Sequence, residues 1–181
     1  LLALQTALKA LLQAAQQLHA VTENAPEVEG FSNALELVLQ HKFKSRQFVM
    51  FTVHPWALIE HSEHSGETDA EAVRLARSVG SSDAARLRAW IYVQLNQRSL
   101  RQSLSELLDD EALRTMFFGE TALLSRAECR QLLSDLLRPL AGLSFRLGVA
   151  AGLASVAVVG DADMEPISEA DGTDETPGYR E

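Results

Sequence analysis

Leucine, alanine and valine recur every three to four positions over most of the 181 residues, the spacing that lines one face of an α-helix. Leu1, Leu4, Leu8, Leu11, Leu12, Ala15 and Leu18 form a first stripe. It should end near Asn24-Ala25-Pro26, because proline lacks the amide hydrogen and clashes with the carbonyl four residues back. Phe31, Leu35, Val38 and Leu39 form a second stripe that closes at Lys42-Phe43-Lys44. Phe48, Phe51, Trp56, Leu58 and Ile59 belong to a third, shorter element in which Pro55 marks a start or a break. The polar run His61 to Glu67 reads as a connection.

Helix starts in the second half are marked by capping chemistry, in which a side-chain oxygen takes an otherwise orphaned amide of the first turn. Thr68 with Glu71, Ser99 with Gln102 and Ser125 with Glu128 have capping-box spacing. Ser82 is placed to cap a helix over Arg86 to Asn96, and Asp109 or Asp110 one over Glu111 to Phe118. In the Arg86 to Asn96 segment, Trp90, Ile91 and Leu95 fall near one face, with Arg86 and Arg88 in the turn that feeds it. Pro139 should kink the last helix or join two. No alternating strand pattern survives this periodicity. The expectation is an all-α, single globular multi-helix domain of about seven to nine helices over residues 1–159. A disordered acidic C-terminal tail, residues 160–181, follows.

Composition supports that reading and locates the charge. Hydrophobic residues make up 46% and aromatics only 6%, which favours helices rich in Leu and Ala over a β-rich fold. The net charge of −9 is concentrated: from Gly160 to Glu181, eight acids face the single base Arg180, a local −7. That leaves −2 on Leu1 to Val159, with 15 basic and 17 acidic residues. A nearly neutral folded part lacks the basic excess of a nucleic-acid binder. Pro166, Gly172, Pro177 and Gly178 mark the acidic stretch as a solvated linker.

Cys129 is the single cysteine, so no intrachain disulfide can form and a reducing compartment is expected. The apolar run Leu147 to Val159 is broken by Gly148 and Gly152 and falls short of the roughly 20 residues that span a bilayer. No signal peptide is visible, and membrane contact should be peripheral. The chain opens at Leu1 already in helical register, and is expected to be a fragment of a longer polypeptide.

Catalysis is not expected, nor a cofactor: there is no phosphate loop, dinucleotide fingerprint or nucleophile elbow. Cys129 sits in an ordinary helical pattern without a partner histidine. His54, His61 and His64 with Glu60 and Glu63 are a conceivable divalent-metal set. Gly66 and the dense polar residues nevertheless indicate a loop, and His-Glu-x-x-His is absent, so no metal site is expected. Lys42, Lys44 and Arg46 form a basic run at a helix end, where cations also suit the helix dipole. Arg86 and Arg88 are further candidates for partner contact, with at least one expected to pair internally, to Glu36. Trp56, Trp90, Phe117 and Phe118 read as core.

The segment Arg86-Leu87-Arg88-Ala89-Trp90-Ile91-Tyr92-Val93-Gln94-Leu95-Asn96 resembles the signature block of RUN domains. Other blocks follow in the family's order. Ala34-Leu35-Glu36-Leu37-Val38-Leu39-Gln40-His41 is similar to the early block, and Trp56-Ala57-Leu58-Ile59-Glu60 to the aromatic block. Phe117-Phe118-Gly119-Glu120-Thr121-Ala122-Leu123-Leu124 resembles Phe-Tyr-x-x-x-Ala-Leu-Leu. Leu140-Ala141-Gly142-Leu143-Ser144-Phe145-Arg146-Leu147 is similar to the closing block, so the resemblance spans roughly residues 1 to 150. Ala85 and Leu87 stand where the family usually has glycine, and Lys42 where glycine is frequent.

The resemblance implies a module that binds a GTP-loaded small GTPase of the Rab, Rap or Arf-like groups. Such modules sit in effector or adaptor proteins of vesicle, endosome–lysosome or autophagosome trafficking. It implies a cytoplasmic protein peripherally associated with endosomal, lysosomal or other vesicle membranes. The alternative is a nucleotide-independent scaffold or dimerisation module that docks a motor or tethering protein.

Overall fold

Helix α5 (Asp83–Asn96) runs through the middle of the molecule, and every residue from Leu87 to Leu95 is buried. A helix covered on all sides is a central helix, not an amphipathic one. The single-face expectation for Trp90, Ile91 and Leu95 is therefore too narrow, and Arg86 and Arg88 lie inside the helix instead of in a turn before it. The computed structural model describes residues 1–17, 20–22, 25–44, 54–61 and 67–149. Around α5 stand α1 (Leu2–Gln17), α2 (Pro26–Gln40), α3 (Trp56–His61), α4 (Glu67–Val79), α6 (Leu100–Asp109), α7 (Glu111–Phe117) and α8 (Ala127–Leu137). The all-α expectation holds for the described residues, which contain these eight helices. The acidic segment 160–181 lies outside the described residues, as do Phe48, Phe51, Arg46, Glu63 and His64.

Local sequence explains most of the boundaries. Leu4, Leu8 and Leu11 of α1 and Phe31, Leu35, Val38 and Leu39 of α2 are buried, and the two helices pack along each other. Helix α1 spans Leu2–Gln17, and Leu18, the last member of the first stripe, lies outside the described residues. Val21–Thr22 (β1) pairs in parallel with Phe145–Arg146 (β2), and the Val21 amide donates to the Ser144 carbonyl at 2.9 Å. This short pairing joins residues far apart in sequence and was not legible as alternation. Pro26 starts α2 instead of ending α1, since a first-turn residue needs no amide hydrogen.

Two caps form as expected and two do not. The Ser82 hydroxyl accepts from the Ala85 amide at 3.2 Å, and the Asp110 carboxylate from the Leu113 amide at 3.0 Å. Helix α4 spans Glu67–Val79, and the Thr68 side chain lies outside the described residues. Ser99 gives no side-chain cap. Its hydroxyl turns to the Gln94 side chain, which also accepts from Ser103 Oγ at 3.0 Å. Gln94 is fully buried, so these hydroxyls satisfy a carboxamide that would otherwise be costly to desolvate. Ser125 donates to the Gly119 carbonyl at 2.8 Å, and α8 starts at Ala127.

The junctions have equally local causes. Helix α5 stops in a Schellman turn: Arg98 takes φ 61°, its amide donates to Leu95 O at 3.1 Å, and the Ser99 amide donates to Gln94 O at 2.9 Å. Asn96 then holds the C-terminal strand, donating Nδ2 to Leu147 O and accepting from Leu147 N, each at 2.9 Å. Pro139 converts the end of α8 into a 3₁₀ turn over Arg138–Gly142, which is how the anticipated kink is realised.

Candidate partner-binding surface

The basic run at the end of α2 is built into a corner with α7. Helix α2 ends at Gln40, His41 turns extended, and Lys42 then adopts φ 53°, the left-handed region that glycine occupies without strain. The reversed chain lays Phe43 opposite Phe118 as an isolated antiparallel bridge. The Lys44 amide donates to Phe117 O at 2.7 Å and the Gly119 amide to Lys42 O at 3.3 Å. Phe43 stacks on Phe117 with ring centroids 5.5 Å apart and meets Phe118 edge-on at 5.3 Å. Aromatic pairs in these geometries add about 0.5–1.5 kcal/mol beyond area burial, so the corner is rigid.

Charged and apolar groups project from this rigid base. Lys42 Nζ donates to Thr121 Oγ1 at 2.9 Å, and Lys44 Nζ to the Thr115 carbonyl. Both side chains stay exposed, and an ammonium has three donors, so each retains capacity for a partner. His41 Nδ1 accepts from the Leu123 amide at 3.1 Å, which ties the loop after α7 to the end of α2. Leu37 lies one turn before His41 and is 63% exposed; Met116, next to Thr115, is 50% exposed. Sequence reading missed both. The available signal was phase: Leu37 falls off the Phe31, Leu35, Val38, Leu39 stripe, and an apolar residue out of register on a helix faces solvent.

The two α5 arginines have internal partners. Arg88 is 7% exposed and binds α2 through Glu29 Oε1 at 3.4 Å and the Asn33 side-chain oxygen. Arg86 Nε donates to Gly80 O at 3.1 Å and its Nη1 to Asp83 at 3.0 Å, closing the corner between α4 and α5. Internal pairing is thus found, but Glu36 is not the acceptor: it sits 3.1 Å from His54 Nε2. Position along the axis accounts for the difference: Glu29 and Glu36 share nearly the same side of α2, and Arg88 meets the turn of Glu29 and Asn33, two turns before Glu36. Arg46 lies outside the described residues.

The histidines are likewise engaged. His54 Nδ1 accepts from the Trp56 amide at 3.2 Å, His61 Nδ1 meets the Ala57 carbonyl at 3.0 Å, and Glu60 pairs with Arg77 at 3.0 Å. Among the described residues no three His, Cys, Asp or Glu side chains are grouped to hold a metal. No helix among them is long and apolar enough to cross a membrane. Trp56, Trp90, Phe117 and Phe118 are all buried, in agreement with the core assignment. A family model described as RUN domain matches residues 30–151, from within α2 to just past the C-terminal strand. No curated protein matches the chain.

Proposed function

Because this chain belongs to the RUN-domain family, a family of protein-interaction modules, we propose that it binds a GTP-loaded small GTPase of the Rab, Rap or Arf-like groups. The observation that carries this reading is the junction after α2, where exposed Lys42 and Lys44 are bonded to Thr121 and Thr115, with exposed Leu37 in α2 and exposed Met116 in α7. Apolar anchors beside charges are the composition of a protein-recognition surface: the anchors supply affinity, and the charges steer encounter and set register. A GTPase presents its nucleotide state through switch segments that order around the γ-phosphate, so an effector must read that surface to discriminate GTP from GDP. In this reading the protein is an effector or adaptor in vesicle, endosome–lysosome or autophagosome trafficking. It reaches the membrane through its lipid-anchored partner. Arg46 extends the same basic run, whereas Arg86 and Arg88 contribute by holding α5 in place.

Binding of the chain to a panel of Rab, Rap and Arf-like GTPases, each loaded with a GTP analogue or GDP, tests this by calorimetry. At least one partner should bind selectively in the GTP state. Equal affinity for both states, or none across the panel, would favour a nucleotide-independent scaffold that docks a motor or tether.

A further inference from the structure

We propose that the trough between α6 and α8 is a docking site for the chain's own acidic segment, residues 160–181. It lies on a different part of the molecule from the α2–α7 corner and goes beyond the GTPase reading. Helices α6 and α8 enclose a cleft of about 250 Å³ whose floor includes the buried Leu104, Leu108, Leu133 and Leu137. Arg130 from α8 and Arg101 from α6 line it. Arg130 Nη1 donates to Leu124 O at 3.2 Å and Ser125 O at 3.1 Å, which fixes the guanidinium plane. Its Nε is buried without a hydrogen bond and is ion-paired with Asp109 at 3.7 Å, whose side chain is 73% exposed. A carboxylate at hydrogen-bond distance from Nε would replace this loose pair with a charge-assisted hydrogen bond.

Arg101 is exposed, and its Nε donates to Ser134 Oγ at 3.0 Å. Arg98 prolongs the trough. Two acids oppose the arginines at the rim: Asp109, and Glu106, which accepts from Gln102 at 2.9 Å. A cationic fork above a leucine floor suits a peptide that alternates carboxylates with apolar side chains. Residues 160–181 have that composition, with eight acids against Arg180 and with Ala162, Met164 and Ile167 among them. The chain also leaves from the right place: Arg98 Nη2 donates to Ser144 Oγ at 3.0 Å, and Leu147 is held on Asn96. From Val149 to Gly160 the extended backbone reaches about 36 Å, more than twice the ~15 Å length of α6.

The test compares amide spectra of the full chain with those of a full-chain variant carrying Asn or Gln at the eight acids. Resonances of Arg101, Ser105, Arg130 and Ser134 should differ between the two, independently of protein concentration. A synthetic peptide of residues 160–181 added to the neutralised variant should move the same resonances, and salt should weaken the effect. Arg101→Glu should weaken that peptide about tenfold, on the scale of one charge-assisted pair, and Asp109→Asn should strengthen it. Because Arg130 also fastens the Leu123–Ser125 turn, Arg101→Glu is the deciding variant. Unchanged α6 and α8 resonances would overturn the proposal. So would shifts that grow with concentration, which place the segment on a second copy, or peptide binding indifferent to Arg101→Glu.

Discussion

Arg86 and Arg88 stand two positions apart in α5 and fasten different neighbours, so substitutions at the two should separate. Arg88 is buried and joins α5 to α2, and truncating it removes both bonds to α2 and leaves a hole beside the core. Arg88→Ala should cost about 2–4 kcal/mol in urea denaturation. Glu29→Gln should cost less than about 1 kcal/mol, because the Glu29 side chain is 44% exposed and its attraction is screened. Trp90 is fully buried, and Trp90→Ala should cost about 3–5 kcal/mol, enough to unfold a domain of ordinary stability. The glycines make an opposite pair. A Cβ on Gly80 would lie 2.7 Å from the Arg86 amide nitrogen, so Gly80→Ala should destabilise by about 1–3 kcal/mol. A Cβ on Gly30, inside α2, meets nothing within 4 Å, and Gly30→Ala should stabilise by about 0.5–1 kcal/mol in the same assay. The arginines were legible as significant from their place before Trp90, but their acceptors were not, because nothing local distinguishes Glu29 from Glu36.

At the level of the element, periodicity located the helices and capping patterns located their ends only in part. Ser82 and Asp110 cap as their positions suggest, whereas Ser99 and Ser125 have the right spacing and the wrong partners. A hydroxyl bonds whichever group folding brings nearest, and the buried Gln94 side chain outcompetes an amide that water can reach. Thermal denaturation separates the two cases. Asp110→Ala should lose about 1 kcal/mol with its cap. Gln102→Ala should stay within about 0.5 kcal/mol, since Gln102 bonds exposed Glu106 and does not reach back to Ser99. The third stripe was readable as far as Trp56, Leu58 and Ile59, all of which are buried in α3.

Across the whole molecule, the proposed partner surface joins segments separated by some 70 to 80 positions: Lys42 meets Thr121, Lys44 meets Thr115, and His41 meets Leu123. Leu37 and Met116 are exposed, so replacing both by serine should leave the denaturation midpoint nearly unchanged. The double variant should nevertheless lose about tenfold or more in affinity for a GTP-loaded partner by calorimetry, the effect expected of interface anchors. A loss confined to Lys42→Glu and Lys44→Glu, with Leu37 and Met116 indifferent, would mark the surface as steering without anchoring. Sequence alone determined the helical class, the order of the elements, the aromatic core and the family, because stripes, turns and their succession are short-range properties of the chain. The tertiary structure decided the rest: the partners of Arg88 and Glu36, the parallel pairing of Val21 with Phe145, the left-handed turn at Lys42 and the exposure of Leu37. Each depends on which helix faces meet, and that is set by packing the whole core at once.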